Sequence, residues 1–206
     1  IHVMKMCQAF AEIGHEVVLL APNVMNEYEK DIENIYKFYG VKKNFRIKKL
    51  WYPNLKGRNF LYTLAIFFYL LFNKKSDLVY GRFLHGCFIA ILLKYNVIFE
   101  AHDPVFEQKG HRRIVFNQLI KNKNFKKLVV ISEALKKIYL SRGYLNDYMI
   151  QVAHDGADEV KDFNYKINLL GYKKNVKVGY VGHLYKGKGM EVIASIANKL
   201  EKNIEI

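Results

Sequence analysis

Leu128-Val-Val-Ile-Ser-Glu-Ala-Leu135 passes from one kind of structure to another within a few residues. Leu128–Ile131 is a continuous apolar run, as in a strand buried on both faces of a parallel sheet. Ser132 can cap a helix, and Glu133 stands where the positive helix end favours a carboxylate. The pattern predicts a helix over Glu133–Arg142 that Gly143 closes.

The same unit recurs along the chain. Apolar runs fall at Glu16–Leu20, Leu78–Tyr80, Val97–Phe99, Leu128–Ile131, Ile150–Ala153 and Val176–Val181. Helical stretches are expected over Asn59–Phe72, Leu84–Leu93, Arg113–Lys121, Glu133–Arg142 and Met190–Lys199. Such alternation specifies an α/β fold whose parallel sheet is covered on both faces. A first helix is expected on Val3, Met6, Cys7 and Phe10, ended by Gly14. Between Asp158 and Lys174 the chain turns polar and the rhythm stops, so a domain boundary is placed there: 1–165 and 166–206. No strand precedes the first helix, and Ile204-Glu-Ile206 resembles the opening of another strand. A fragment truncated at both ends is therefore expected.

Composition bounds the function. Of 206 residues 51% are hydrophobic, ample for a packed core. Cys7 and Cys87 are far apart, match no metal-ligand spacing and suit two reduced, buried thiols. No His-Glu-x-x-His or Cys/His ligand pattern occurs, so no metal site is expected. The net charge of +14 is carried mostly by Lys scattered among Asn, the mark of a compositional bias rather than of a nucleic-acid surface. One local cluster stands out: Lys42, Lys43, Arg46, Lys48, Lys49, Lys56 and Arg58. It suits a solvated face, or a patch for acidic headgroups or phosphates. Phe60–Phe72 follows it, 13 apolar residues against the ~20 that cross a bilayer. A buried helix is expected there, with an interfacial helix as the alternative. No signal-peptide pattern opens the chain.

In open α/β sheets ligands bind beyond the carboxyl ends of the strands. Those positions carry Gly81-Arg82, Glu100-Ala-His-Asp-Pro104, His154-Asp-Gly-Ala-Asp158 and Tyr180-Val-Gly-His-Leu-Tyr-Lys-Gly-Lys-Gly189. His102 beside Asp103 suits a general base or a donor to an acceptor hydroxyl; it equally suits a loop histidine bonded to backbone. Asp155-Gly156 is also a common turn pair, and Arg82 can pair with any nearby carboxylate. Gly182, Gly187 and Lys188 fit the spacing of a P-loop, but Gly189 replaces the hydroxyl residue that would hold Mg²⁺. Between a strand and a helix starting near Met190, this loop suits a diphosphate instead.

In order and spacing these segments resemble glycosyltransferase family 4 of the GT-B fold, across nearly the whole chain. The resemblance rests on Gly14-His-Glu-Val-Val18, Asp77-Leu-Val-Tyr-Gly-Arg82 and Phe99-Glu-Ala-His-Asp103. It continues through Val129-Val-Ile-Ser-Glu-Ala-Leu135, His154-Asp-Gly-Ala-Asp158 and Val178-Gly-Tyr-Val-Gly-His-Leu-Tyr-Lys-Gly-Lys-Gly189. It implies a nearly complete Rossmann-like N-terminal domain of acceptor side, lacking its first strand, plus the first βα unit of a donor domain. It implies a retaining, metal-independent, hexosyltransferase-type enzyme without a cofactor. The co-substrate would be a nucleotide-diphosphate sugar and the acceptor a glycan or lipid-linked molecule, in cell-surface polysaccharide synthesis. His102 would be catalytic, close to the transferred sugar. Gly182, His183, Lys188 and Gly189 would bind the donor diphosphate; His183 stands where the family commonly has Arg. Arg82, Asp103 and Asp155 would lie on the acceptor side or at the cleft. The family's glycine-rich loop and its E-x₇-E segment are not found within the chain, so the fragment alone is expected to be inactive. By analogy with relatives, the protein would be cytoplasmic with peripheral contact to an anionic membrane and no nucleic-acid partner. The alternatives are a GT-B nucleotide-sugar epimerase and a non-catalytic basic module for membrane or nucleic acid.

Overall fold

The computed structural model describes residues 2–24, 34–108, 110–156, 176–177, 189–197, 199 and 204–205. The chain divides into two compact units, Ile1–Gly156 and Ala157–Ile206. The first runs α1 (His2–Glu12), β1 (Val18–Asn23), α2 (Ile35–Phe38), β2 (Arg46–Trp51), α3 (Arg58–Phe72) and β3 (Leu78–Gly81). It continues with α4 (Leu84–Leu92), β4 (Asn96–Ala101), α5 (His111–Lys121), β5 (Phe125–Val130), α6 (Glu133–Ser141) and β6 (Ile150–Val152). Single 3₁₀ turns, Val105–Glu107 and Asp147–Met149, precede α5 and β6. The second unit contributes β7 (Val176–Lys177), α7 (Met190–Ala197) and β8 (Ile204–Glu205), with β7 and β8 parallel.

Every strand pairing is parallel, as the alternation of apolar runs and helices requires. The main sheet has the order β3-β4-β5-β6, and β1 and β2 form a separate pair with Val18 opposite Arg46. Among the described residues these two sheets do not join. The main sheet buries its largest core against helices. Val97, Phe99 and Ala101 of β4 and Leu128 and Val130 of β5 face one side. There they pack with Leu84, Cys87 and Ile91 of α4, Phe116 and Leu119 of α5, and Leu135 and Tyr139 of α6. Each fully buried Val, Leu, Ile or Phe among them stabilises the fold by about 1.5–3 kcal/mol relative to exposure. On the other face Phe10 of α1 meets the ring of Tyr80 at 5.5 Å, while Met4 and Cys7 of α1 pack with Phe45 beside β1 and β2.

The local chemistry of α6 is that expected from its sequence. The Leu135 N–H donates to Ser132 Oγ at 3.2 Å. Gly143 adopts φ +67° past the last turn, and its N–H donates to the Leu140 carbonyl at 2.9 Å. Gly14 likewise follows α1 with φ +96°. Both cysteines are free and buried, and burial pushes their thiols up, to about 11 for Cys7 and about 12 for Cys87.

Four expectations need correction. The first strand is Val18–Asn23 rather than Glu16–Leu20, and α1 buries Met4 and Cys7 while Val3 is exposed. Arg46–Trp51, expected as part of a charged surface, is a strand. Its lysines face solvent beside buried Leu50, and charge on a sheet edge hides the alternation that marks a strand. The cluster is also partly neutralised: Lys42 pairs with Glu12 at 2.8 Å, and Arg46 pairs with Glu16. Finally, the helix expected to be buried is buried on one side only. Tyr62 and Ile66 of α3 are in the core, whereas Phe60 is 71% and Phe72 77% exposed.

Candidate active site at the carboxyl edge of the main sheet

Strands β3 and β4 are neighbours in register, with Gly81 opposite Phe99, so the loops that leave them emerge side by side. Arg82 therefore meets His102, its guanidinium 3.0 Å from Nδ1. Between them lies Glu100, the only buried charged residue among those described, 4% exposed. Alternation along β4 turns Glu100 away from the α4–α6 side and toward α1.

The Glu100 carboxylate is held from several directions. Its Oε1 accepts from His102 Nε2 at 2.5 Å, with Arg82 Nε at 3.6 Å and His2 Nε2 at 3.5 Å. Its Oε2 accepts the Tyr80 hydroxyl at 2.8 Å. Burial, and then the bond to Glu100, push the Tyr80 hydroxyl well up, so the phenol keeps its proton and donates. The other nitrogen of His2 is 3.2 Å from Asp155 Oδ1. A buried charge is tolerated only when paired and hydrogen-bonded in this way. The result is one contiguous network, His2–Asp155 and Tyr80–Glu100–His102–Arg82, open to solvent on its His and Arg side.

Of the residues singled out from sequence, Arg82 and His102 touch directly, and Asp155 joins them through His2. Asp103 has another task. Its side chain accepts from Gln108, and its carbonyl accepts the Tyr139 hydroxyl at 2.9 Å, which ties the loop to α6. Gly189 has φ +83° and its carbonyl accepts the Ile193 N–H at 3.0 Å, which puts it immediately before α7. Gly182, His183 and Lys188 lie outside the described residues. Glu100, Tyr80 and His2 also belong to the network, although no motif assigns them a role. For Glu100 a signal was present, a lone carboxylate inside an apolar strand; for His2 nothing local marks it.

A separate pocket of about 480 Å³ lies between the 3₁₀ turn, the start of α5 and the end of α6, and none of the network residues lines it. Arg113 and Arg142 border it, with Arg142 stacked over Phe106 at 5.6 Å and 3.5 Å from Glu107. Among the described residues no group of three or more His, Cys, Asp or Glu is arranged to hold a metal ion.

A Rossmann-like α/β domain with polar side chains gathered at the carboxyl edge of its parallel sheet is a ligand-binding class of protein. The family model of Glycosyltransferase Family 4 matches residues 1–159, the great majority of the chain. The chain belongs to this family and is a glycosyltransferase domain. Among curated proteins none matches it.

Proposed function

We propose that the protein transfers a hexosyl group from a nucleotide-diphosphate sugar to a glycan or lipid-linked acceptor, with retention of configuration and without a metal or other cofactor. The observation that carries this reading is the network at the ends of β3 and β4, where Arg82 and His102 reach solvent together from a buried carboxylate. Such a group can orient an acceptor hydroxyl beside the anomeric carbon. The donor falls to the 166–206 segment. Gly182, His183, Lys188 and Gly189 are assigned to its diphosphate, ahead of the N-terminus of α7. Backbone N–H groups and the Lys188 charge would offset the negative charge that grows on the departing nucleoside diphosphate, which is where a metal-free transferase needs electrostatic help.

A membrane-peripheral acceptor is supported by α3. Phe60, Leu64, Phe68, Leu71 and Phe72 recur at helical spacing and are all exposed, with Trp51 and Leu55 nearby in sequence. Lys42, Lys43, Lys48, Lys49, Lys56, Arg58, Lys74 and Lys75 flank this apolar set in sequence. Apolar and basic residues together suit an anionic lipid surface better than water. Among the described residues no helix is long and apolar enough to cross a membrane. The contact would be peripheral, and a cytoplasmic leaflet rich in acidic lipids is its natural site.

The test is transfer itself. The full-length protein is incubated with a panel of nucleotide sugars, and release of nucleoside diphosphate is followed with the anomeric configuration of the product. The expected result is turnover with one donor, a retained anomer, and a loss of about 10²-fold in His102→Ala, at the low end of what a positioned acid–base group contributes. An inverted anomer, or a sugar changed at one carbon without transfer, would overturn the retaining transferase in favour of another GT-B chemistry.

A further inference from the structure

Both ring nitrogens of His102 are engaged, and the chemistry of their partners fixes which one carries the proton. An arginine guanidinium has five donors and no acceptor, so Nδ1, 3.0 Å from Arg82, must present its lone pair. An ionised carboxylate only accepts, so Nε2, 2.5 Å from Glu100, must present its hydrogen. The two contacts lie on opposite sides of the ring, and each alone demands the same tautomer. A proton on Nδ1 would aim N–H at N–H.

Glu100 is built to impose this choice. It is buried, its second oxygen accepts the Tyr80 hydroxyl, and it cannot swing away without breaking that bond. Arg82 is different. Its side chain is 34% exposed, and its contact with Glu100 is a longer 3.6 Å. A rigid partner thus holds one nitrogen and a movable partner covers the other.

We propose that Glu100 is a positioning residue that locks His102 as the Nε2–H tautomer, which makes Nδ1 the working nitrogen of the site, and that Arg82 masks Nδ1 until an anionic substrate group draws the guanidinium aside. A hydroxyl can then donate to Nδ1 while Nε2–H stays on Glu100. An imidazole held in this way resembles the general arrangement in which one ring nitrogen is set by the bond the other makes. The catalytic consequence rests on the proposed sugar transfer; the tautomer does not, and it is measured without turnover.

The test is long-range ¹H–¹⁵N spectroscopy of the full chain labelled in histidine, with His102 assigned by loss of its signals in His102→Gln. The wild-type ring is expected to show a protonated, pyrrole-type Nε2 and a pyridine-type Nδ1. In Arg82→Ala the Nδ1 resonance is expected to move toward that of an unbonded lone pair while Nε2–H is kept. In Glu100→Ala both shifts are expected to move toward the average of the two tautomers, and Glu100→Gln, whose amide oxygen still accepts, is expected to restore the wild-type pattern. A wild-type ring protonated on Nδ1 would overturn the proposal, and that reading needs no variant to fold. Ring shifts unchanged in folded Glu100→Ala would overturn the role of Glu100, and an unchanged Nδ1 in Arg82→Ala would overturn that of Arg82. If sugar transfer fails while the tautomer pattern holds, the function falls and the assignment of the ring stands.

Discussion

Tyr139 shows how a single buried hydroxyl serves the site from a distance. It is fully buried, donates to the Asp103 carbonyl at 2.9 Å and accepts the Val105 N–H at 3.1 Å. Its ring stands edge-on to Phe106 at 5.0 Å. Tyr139→Phe keeps that packing and strips two backbone groups of their partner in the loop that carries His102. Leaving buried polar groups unpaired costs about 1–3 kcal/mol, so the urea midpoint is expected to fall with an unchanged slope. An unchanged midpoint would mean that water replaces the phenol and the loop is held elsewhere. At this scale the sequence was partly legible. His102 and Arg82 were visible because they follow apolar runs directly. Glu100 is expected just beyond the run Val97–Phe99 but lies inside β4, and only its neighbours across the sheet show what it meets. The link between Tyr139 and Asp103 spans 36 residues, and no local pattern reports a bond of that separation.

Helix α3 poses the clearest question at the scale of elements. One side anchors it through Tyr62 and Ile66, with the Tyr62 hydroxyl donating to the Leu20 carbonyl at 3.2 Å, and the other leaves five large apolar residues in water. The protein is expected to bind vesicles containing phosphatidylglycerol and not vesicles of phosphatidylcholine alone. Replacing Phe60, Phe68 and Phe72 together by Ser is expected to weaken that binding about 10-fold or more, since each exposed ring contributes apolar area to the interface. Because these side chains lie outside the core, thermal stability should change little. Equal binding by the triple variant would remove α3 from the contact and leave the lysines alone to explain it. The elements themselves were legible wherever a continuous apolar run marked a strand, as at Leu128–Val130, or a cap marked a helix, as at Ser132. β2 was not, because Lys48 and Lys49 interrupt its apolar pattern, and the parallel partner that makes it a strand begins 28 residues away at Val18.

For the whole molecule, the fold class followed from the alternation of strands and helices, and membership of glycosyltransferase family 4 followed from the order of short motifs along it. Neither needed any one motif to be strong. Substrate choice is a different matter, because it depends on which side chains converge on a ligand, and the network around Glu100 was assembled only by the pairing of β3 with β4. The proposed function assigns the segment Gly182–Gly189 to the diphosphate of a sugar donor. Calorimetric titration of the full-length protein with UDP and GDP, wild type beside Lys188→Ala, tests it most directly. Binding of one of the two nucleotides is expected, weakened about 10- to 100-fold by the substitution, the loss appropriate to a charge-assisted hydrogen bond. Equal affinity in both proteins, or none for either nucleotide in the wild type, would contradict it.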